Sequence, residues 1–243
     1  MCNLIINADD FGYSKGVNLG IIEAHECGVL TSTTLMVNMP GALHAAECAK
    51  NFPNLGIGLH LNISLGYSLT KGKTLVDKNN KFFKPSQLTN FDIYDEEEIY
   101  NELVAQYNLF KKIMGKEPTH LDSHLFTTDL IPKMKKVAIK LAEELNLSLR
   151  NHKINDYKKV KFINYRNFNA KPNLEYIIEY FSEIIKDEYV EIMTHPGYLD
   201  LFLYKNSSYS IQRVEEVEFL KGNHLKELIS KNNVNLINYN NIK

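Results

Sequence analysis

The sequence contains few cysteines, and none of them falls in a recognisable pairing pattern. Its three cysteines, Cys2, Cys27 and Cys48, include no pair with the CxxC spacing of redox motifs or zinc knots. An odd number of cysteines without such spacing is typical of reduced thiols, and it argues against a disulfide framework or a structural zinc site. Cys27 and Cys48 lie in helical patterns, where we expect them to pack in the core.

The sequence also lacks an excess of either charge and lacks a long apolar run. It has 28 Lys and Arg against 29 Asp and Glu, for a formal net charge of -1. This balance gives no electrostatic reason to expect nucleic acid or an anionic membrane as a partner. No apolar run approaches the roughly 20 residues that span a bilayer, and the N-terminus shows no signal-peptide pattern. We therefore expect a cytoplasmic protein.

Strand and helix patterns alternate along most of the 243 residues, which we predict to form a single domain, 1–243. Strands are predicted at residues 4–8, 32–37, 56–61, 120–124, 147–150, 189–194 and 234–238. Helices are predicted at residues 17–27, 42–50, 95–114, 131–145, 174–185 and 211–230. About seven βα units predict an α/β fold with a parallel sheet, as an irregular (β/α) barrel. A doubly wound open sheet is the alternative.

Two stretches interrupt this alternation. Residues 62–94 are rich in Gly, Lys, Asn, Ser and Thr, and a loop of this length in a compact domain is usually functional. We expect an excursion loop over one end of the fold, with a small hairpin around Asn79 and Asn80. Residues 151–170 are basic and rich in Asn, and we predict a second irregular segment there.

Two adjacent aspartates, Asp9 and Asp10, follow the apolar run Leu4-Ile5-Ile6 of the first predicted strand. Neighbouring carboxylates at the end of a buried strand repel each other, and a bound cation is the simplest way to offset that cost. A surface turn would also accommodate Asp-Asp-x-Gly. The apolar strand before the pair, and histidines elsewhere in the chain, favour the cation.

Histidines lie near the ends of three other predicted strands. They are His60 in GLHLN, His124 in THLDSH and His195 in the turn THPG. Since strand C-termini of parallel α/β folds meet at one face, we expect these side chains to converge with the aspartates. Two histidines and one aspartate hold a divalent metal with open positions, so we predict Asp10, His60 and His124 as ligands. Asp9 is then the candidate base and His195 the candidate acid.

Other polar and aromatic residues near these ends are candidates for supporting roles. His120 and Asp122 are expected to orient the site, and Arg150 is either a partner of Asp9 or an ordinary ion pair. The aromatic residues near the predicted site suit a sugar ring or simply pack the loops. They are Tyr198, Phe202 and Tyr204 after His195, and Tyr67 in the excursion.

Together these motifs resemble the YdjC-like carbohydrate deacetylase family, over nearly the whole chain. The ordered series is specific where any one motif would be weak. It comprises NADDFG (7–12), GVNLGIIEAHECGVLTSTTLMVN (16–38), GIGLHLN (56–62), PTHLDSH (118–124), EIMTHPG (191–197), then Ser208, Tyr209, Arg213, Glu216 and Leu220, and finally LINY (236–239).

The resemblance implies a barrel-like deacetylase that removes acetyl groups from N-acetylated sugars, with chitooligosaccharides such as diacetylchitobiose as the best-known substrates. It implies a divalent metal, usually magnesium, held by Asp10, His60 and His124, with Asp9 as base and His195 as acid. It also implies a homodimer, and it places Arg213 among the substrate-binding or supporting residues. The ligand types alone permit Zn²⁺, Mn²⁺, Fe²⁺ or Co²⁺, since two imidazoles are unusual for Mg²⁺.

One departure from the family pattern bears on activity. The family commonly carries a histidine two positions after the metal-ligating one, and this chain has Phe126 there. Two other functions therefore stay open: a metal-dependent sugar isomerase or epimerase, and a non-catalytic sugar-binding barrel. An isomerase would require a further Glu or Lys base at a strand end, and none is clearly placed.

Overall fold

Buried parallel strands form the centre of the protein. The computed structural model describes residues 1–88 and 90–243. Its strands are β1 (Asn3–Phe11), β2 (Ser32–Leu35), β3 (Gly56–Leu61), β4 (His120–Ser123), β5 (Ser148–Leu149), β6 (Lys161–Ile163), β7 (Tyr189–Thr194) and β8 (Asn235–Leu236). β2, β3 and β4 are buried throughout, as expected for strands covered on both faces.

The strands form one sheet in the order β5-β4-β3-β2-β1-β7-β6, and every ladder in it is parallel. β8 pairs with the first residues of β1, and β2 pairs with β1 from Asn7 onward, so these two strands share one edge of β1. Within the described ranges no ladder joins β5 to β6, and the sheet is therefore a half-barrel. The predicted parallel sheet of about seven strands is confirmed.

The helices cover the outside of this half-barrel. They are α1 (Lys15–Glu26), α2 (Ala42–Ala49), α3 (Glu96–Met114), α4 (Thr127–Leu130), α5 (Pro132–Leu145), α6 (Glu175–Glu179), α7 (Phe181–Ile184), α8 (Leu201–Asn206), α9 (Ile211–Lys221) and α10 (Asn223–Lys231). In the described part of the chain, none of them is both long enough and apolar enough to cross a membrane.

Helix boundaries follow the local sequence where capping residues are present. The side chain of Asp95 accepts hydrogen bonds from the backbone N–H groups of Glu97 and Glu98, which starts α3. Gly115 ends the same helix in the left-handed conformation, with φ of 67°. The acidic first turn of α3 and its Lys111 and Lys112 near the end also complement the helix dipole.

Cys48 packs against the core as expected, but the prediction for Cys27 was wrong, because this residue follows the last turn of α1 and is exposed.

Three predictions of local structure were also wrong. Residues 151–170 contain β6, a strand of three residues that is too short to show an alternating pattern. Residues 174–185 form α6 and α7, separated at Tyr180, instead of one helix. Residues 201–206, where no helix was predicted, form α8, which begins because Asp200 accepts a hydrogen bond of 2.8 Å from the backbone N–H of Leu203.

The excursion at 62–94 is held against one face of α3 by polar side chains spaced four residues apart. This spacing places Glu98, Glu102 and Gln106 in one row along the helix. Their partners at 2.6 to 2.7 Å are, respectively, the Thr74 hydroxyl, the Ser68 hydroxyl and the Asn62 carbonyl. The row fixes the position of the segment, which also contributes residues to the cavity described below.

The predicted hairpin around Asn79 and Asn80 has a counterpart in the excursion. Two antiparallel bridges, Tyr67 with Lys81 and Val76 with Phe82, flank the turn in which the Asn80 N–H donates to the Asp77 carbonyl. Thr89, which the excursion also includes, lies outside the described residues. The division of the chain into a single domain stays a prediction.

A close backbone contact joins α1 to the segment after β7. A Cβ atom added to Gly20 would lie 2.5 Å from the Cα of Gly197, so only glycine fits at this position.

We expect Gly20→Ala to lower the free energy of unfolding by about 1–3 kcal/mol, because two backbone segments must separate to admit the methyl group. Urea unfolding measures the change. Leu19→Ala is the control, since Leu19 of the same helix is 50% exposed, and it should shift stability by less than about 0.5 kcal/mol. A Gly20→Ala protein with an unchanged urea midpoint would contradict the contact.

Candidate active site

A cavity of about 390 Å³ opens at the C-terminal ends of the strands. Residues from β1, β3, β4 and β7 form its floor, and loops between strands and helices form its walls. The lining residues are Asp9, Asp10, Tyr13, His60, Ser64, Leu65, Lys84, Ser123, His124, Leu125, Phe126, Asn164, Tyr165, Arg166, Pro172, Asn173, Leu174, Tyr176, Met193, His195, Asn206, Ser207, Ser208, Tyr209, Arg213 and Glu216.

An irregularity in β1 brings both aspartates to this cavity. In a regular strand, successive side chains point to opposite faces, so Asp9 and Asp10 would separate. The register with β2 shifts between Ala8 and Phe11, where three steps along β1 match two along β2. Asp10 at this bulge has a φ of 68°, a left-handed conformation that aspartate tolerates better than most residues. The bulge re-aims the strand so that the two carboxylates line one site.

Asp10, His60 and His124 converge on one point. Their ligand atoms all lie within 4.8 Å of one another. Oδ1 of Asp10 lies 3.4 Å from Nε2 of His60 and 3.0 Å from Nδ1 of His124. The structure thus brings together the three residues that we predicted as metal ligands.

The hydrogen bonds around this group leave suitable donor atoms for a cation. Nδ1 of His60 lies 2.6 Å from Oδ1 of Asp122, which favours the tautomer with the Nε2 lone pair on the Asp10 side. Burial acts to lower the pKa of His60, but the carboxylates of Asp122 and Asp10 outweigh it and raise this pKa to about 10. With that pKa, Nε2 of His60 carries a proton towards Asp10 at neutral pH, and a divalent metal ion would take the place of this proton. The two imidazole nitrogens and one carboxylate oxygen would then be its ligands.

A second group, Asp9, His60 and Asp122, also has ligand atoms within 4.8 Å. Its carboxylates are already engaged: both oxygens of Asp9 accept from Arg150, at 2.6 and 2.8 Å. Oδ2 of Asp122 accepts from the Thr34 hydroxyl at 2.9 Å and lies 2.9 Å from Nη1 of Arg150. Among the described residues, the hydrogen-bonding side chains that face Oδ1 of Asp10 are the two histidines, so the first group is the better metal site.

Arg150 is the centre of a buried ionic network beneath the cavity. Its guanidinium group contacts Asp9, Asp122 and Glu191 at 2.6 to 2.9 Å. Burial acts to raise the pKa of Asp9, but Arg150 outweighs this effect and lowers that pKa to about 2. Asp9 is therefore a carboxylate at neutral pH, held in one orientation by two parallel hydrogen bonds.

Glu191 and Tyr239 extend this network, and the sequence reasoning missed both. Tyr239 donates its hydroxyl proton to the Glu191 carboxylate, and its ring stacks on His120 with the ring centroids 3.7 Å apart. Burial raises the pKa of Glu191 and lowers that of His120. The sequence did contain a sign of this role, because Glu191 is a charged residue inside the apolar strand YVEIMT. An isolated buried charge is costly, so a charged or hydrogen-bonding partner was to be expected.

On the other side of the metal group, Arg213 of α9 holds Asp10. Its Nη2 donates to Oδ2 of Asp10 at 2.6 Å, and its Nε donates to the backbone carbonyl of Tyr209 at 3.0 Å. Four carboxylates, those of Asp9, Asp10, Asp122 and Glu191, thus share two guanidinium groups. A divalent cation at the Asp10 group would offset the excess of negative charge.

His195 lies at the cavity wall, where a buried carboxylate fixes its backbone. The His195 N–H donates to Oε2 of Glu216 at 2.5 Å, and the other oxygen of Glu216 accepts from the Tyr209 hydroxyl at 2.5 Å. The His195 ring meets the Tyr209 ring edge to face at 5.8 Å. Glu216 therefore sets the position of His195. The sequence pattern indicated Glu216 as a member of the family motif but not this role.

The aromatic residues that we considered for sugar contact lie elsewhere. Among the described residues that line the cavity, Tyr198, Phe202, Tyr204 and Tyr67 are absent. The Tyr198 hydroxyl donates to Glu23 of α1 at 2.5 Å. The aromatic side chains that do line the cavity are Tyr13, Phe126, Tyr165, Tyr176 and Tyr209.

Comparisons with known proteins agree with this architecture. The sequence matches the family described as YdjC-like protein over residues 3–231. It is 48% identical to Carbohydrate deacetylase 2 of Listeria innocua, over 98% of each chain. It is 37% identical to a carbohydrate deacetylase of Clostridium beijerinckii, over 98% of this chain and 99% of that one.

A solved structure shares the whole fold. It is that of an Enterococcus faecalis V583 protein whose proposed role is cellobiose-phosphate cleavage. It superimposes with a TM-score of 0.87 at 33% identity, over 98% of each chain. This chain therefore belongs to the YdjC-like protein family.

Proposed function

We propose that this protein is a metal-dependent carbohydrate deacetylase that hydrolyses the N-acetyl group of chitooligosaccharides such as diacetylchitobiose. The observation that carries the proposal is the grouping of Asp10, His60 and His124 beside Asp9 and His195 in one cavity. The names of the Listeria innocua and Clostridium beijerinckii relatives support the same activity. The cavity volume also lies within the range of small-molecule sites.

Asp10, His60 and His124 would hold the metal ion. A divalent cation bound there would polarise the acetamide carbonyl and lower the pKa of a water molecule. The resemblance favours Mg²⁺, whereas two imidazole ligands favour Zn²⁺, Mn²⁺ or Co²⁺. We therefore leave the choice of metal to the assay below.

The side chains then divide the proton transfers between them. Asp9 takes the proton from the water molecule that attacks the carbonyl carbon, and Arg150 keeps its carboxylate pointed at that water. His195 donates a proton to the sugar nitrogen as the carbon–nitrogen bond breaks. Acetate and a free amino sugar result.

Acetate release tests the proposal. The protein is stripped with a chelator, and Mg²⁺, Zn²⁺, Mn²⁺ or Co²⁺ is restored before incubation with N-acetylglucosamine and its β-1,4-linked oligomers. We expect the protein to release acetate with at least one of the restored metals and to release none while it is stripped of metal. No acetate with any metal, together with a product of unchanged mass, would favour an isomerase or epimerase. Sugar binding without any reaction would favour a non-catalytic barrel.

The replacement Glu191→Gln tests whether the buried network supports the base. Glu191 anchors the guanidinium group through Nε and Nη2, and a neutral amide holds it more weakly. Arg150 should then orient the Asp9 carboxylate less well, so we expect kcat to fall about tenfold with KM unchanged. Steady-state acetate release measures both constants. Glu188→Gln, at an exposed position next to β7, is the matched control and should leave both unchanged. An unaltered kcat in Glu191→Gln would contradict this role.

The homodimer and the cytoplasmic location stay predictions. Sedimentation of the purified protein and fractionation of cells would test them.

A further inference from the structure

Two consecutive residues after the metal group hold an unusual backbone conformation. Leu125 and Phe126 have φ values of 53° and 55°, in the left-handed region that non-glycine residues rarely adopt. They follow directly on His124, which lies 3.0 Å from Asp10. Strained backbone persists only where its surroundings enforce it, and such residues cluster at functional sites.

The hydrophobic core does not account for the position of Phe126. Within the described residues, Phe126 belongs to neither cluster of buried apolar side chains and is not packed against one. Its side chain instead lines the cavity, and the residue is half-buried. A large apolar ring outside the core, on a strained backbone and in a polar cavity, indicates contact with a ligand.

Two neighbours fix the orientation of this ring. Phe162 of β6 meets it edge to face at 6.0 Å, and Phe162 is not among the described residues that line the cavity. The guanidinium group of Arg166 lies over the ring, 5.6 Å from its centroid. Arg166 is itself positioned by Tyr165, whose ring centroid also lies 5.6 Å from the guanidinium group and whose hydroxyl accepts a hydrogen bond from Nε at 3.2 Å. Phe126 is therefore held in place before any ligand binds.

The surrounding chemistry identifies the occupant as a neutral ring with an apolar face. The polar groups that would act on an acetamide, Asp9, His60 and His195, come from strand ends. Phe126, Tyr165 and Arg166 come from two short 3-10 helices at the wall, His124–Phe126 and Tyr165–Phe168. A sugar that presents its acetamide to the strand ends has this wall, with its apolar ring, as a surface for its next ring.

Resting on the proposed function, we propose that Phe126 is a specificity-determining residue, the platform for the sugar ring next to the one that bears the scissile acetamide. The pyranose C–H face packs on the phenyl ring, which Arg166 and Phe162 hold in position. The platform therefore selects disaccharides and longer oligomers over a single N-acetylated sugar.

The test compares N-acetylglucosamine with its β-1,4-linked dimer in wild type, Phe126→Leu and Phe126→Gly. Glycine removes the ring and also relieves the left-handed strain, so this variant should fold. We expect the preference of kcat/KM for the dimer over the monomer to fall about five- to tenfold in both variants, through KM. Phe52→Leu, a half-buried phenylalanine outside the cavity, should keep the full preference.

Calorimetric binding of the two sugars in the presence of metal separates this inference from the proposed function. Acetate release with an unchanged dimer preference in Phe126→Gly would overturn the platform and leave the deacetylase intact. Tighter dimer binding that Phe126→Gly abolishes, without acetate release in wild type, would support the platform and overturn the deacetylase. Equal losses of binding for both sugars would also overturn the platform.

Discussion

Replacing His60 by alanine should abolish acetate release by removing the metal. His60 supplies Nε2 to the group formed with Asp10 and His124, and Asp122 fixes its other nitrogen at 2.6 Å. Loss of a supporting partner of a ligand typically costs about 10- to 100-fold in metal affinity, so loss of the ligand should cost at least about 100-fold. Equilibrium dialysis against a metal buffer measures the affinity, and acetate release measures turnover.

A second histidine, outside the cavity, provides the control for this replacement. His224 of α10 is exposed and lies outside the cavity, so His224→Ala should bind metal and release acetate like wild type. Circular dichroism establishes that the His60→Ala protein is folded. A folded His60→Ala protein with wild-type metal affinity would exclude Asp10, His60 and His124 as the metal site.

Replacing Asp9 by asparagine should remove turnover while sparing the metal. Asparagine keeps the shape of the side chain but cannot take a proton from water, and general base catalysis typically contributes about 10²- to 10⁴-fold. We expect kcat to fall within this range, because both oxygens of Asp9 face Arg150 instead of the metal group. Acetate release and equilibrium dialysis on the same preparation measure the two properties.

The exposed Asp92 provides the control, since Asp92→Asn removes the same charge outside the cavity. It should leave both turnover and metal affinity unchanged. If Asp9→Asn lost the metal as well, Asp9 would belong to the metal site, as the second group of Asp9, His60 and Asp122 would allow. The separate roles of the two aspartates would then be wrong.

The sequence alone determined the parallel sheet and the identity of the residues at its C-terminal ends. Buried parallel strands leave continuous apolar runs, and β3 and β7 were predicted with the bounds that the structure shows. Because their C-terminal ends must meet at one edge, the sequence predicts a common site for His60, His195 and Asp10. Shorter elements such as β6, with three residues, carry too little pattern to be predicted.

Only the tertiary structure decided how these side chains are divided among partners. Adjacent aspartates in a regular strand would point to opposite faces, and the bulge in β1 with the left-handed Asp10 places both at the cavity. Arg150 then engages Asp9, and Arg213 engages Asp10, across 141 and 203 residues of sequence. Such contacts depend on where distant segments pack, which local pattern does not encode. The sequence therefore supplied the residues of the site, and the packing of the half-barrel assigned each carboxylate its partner.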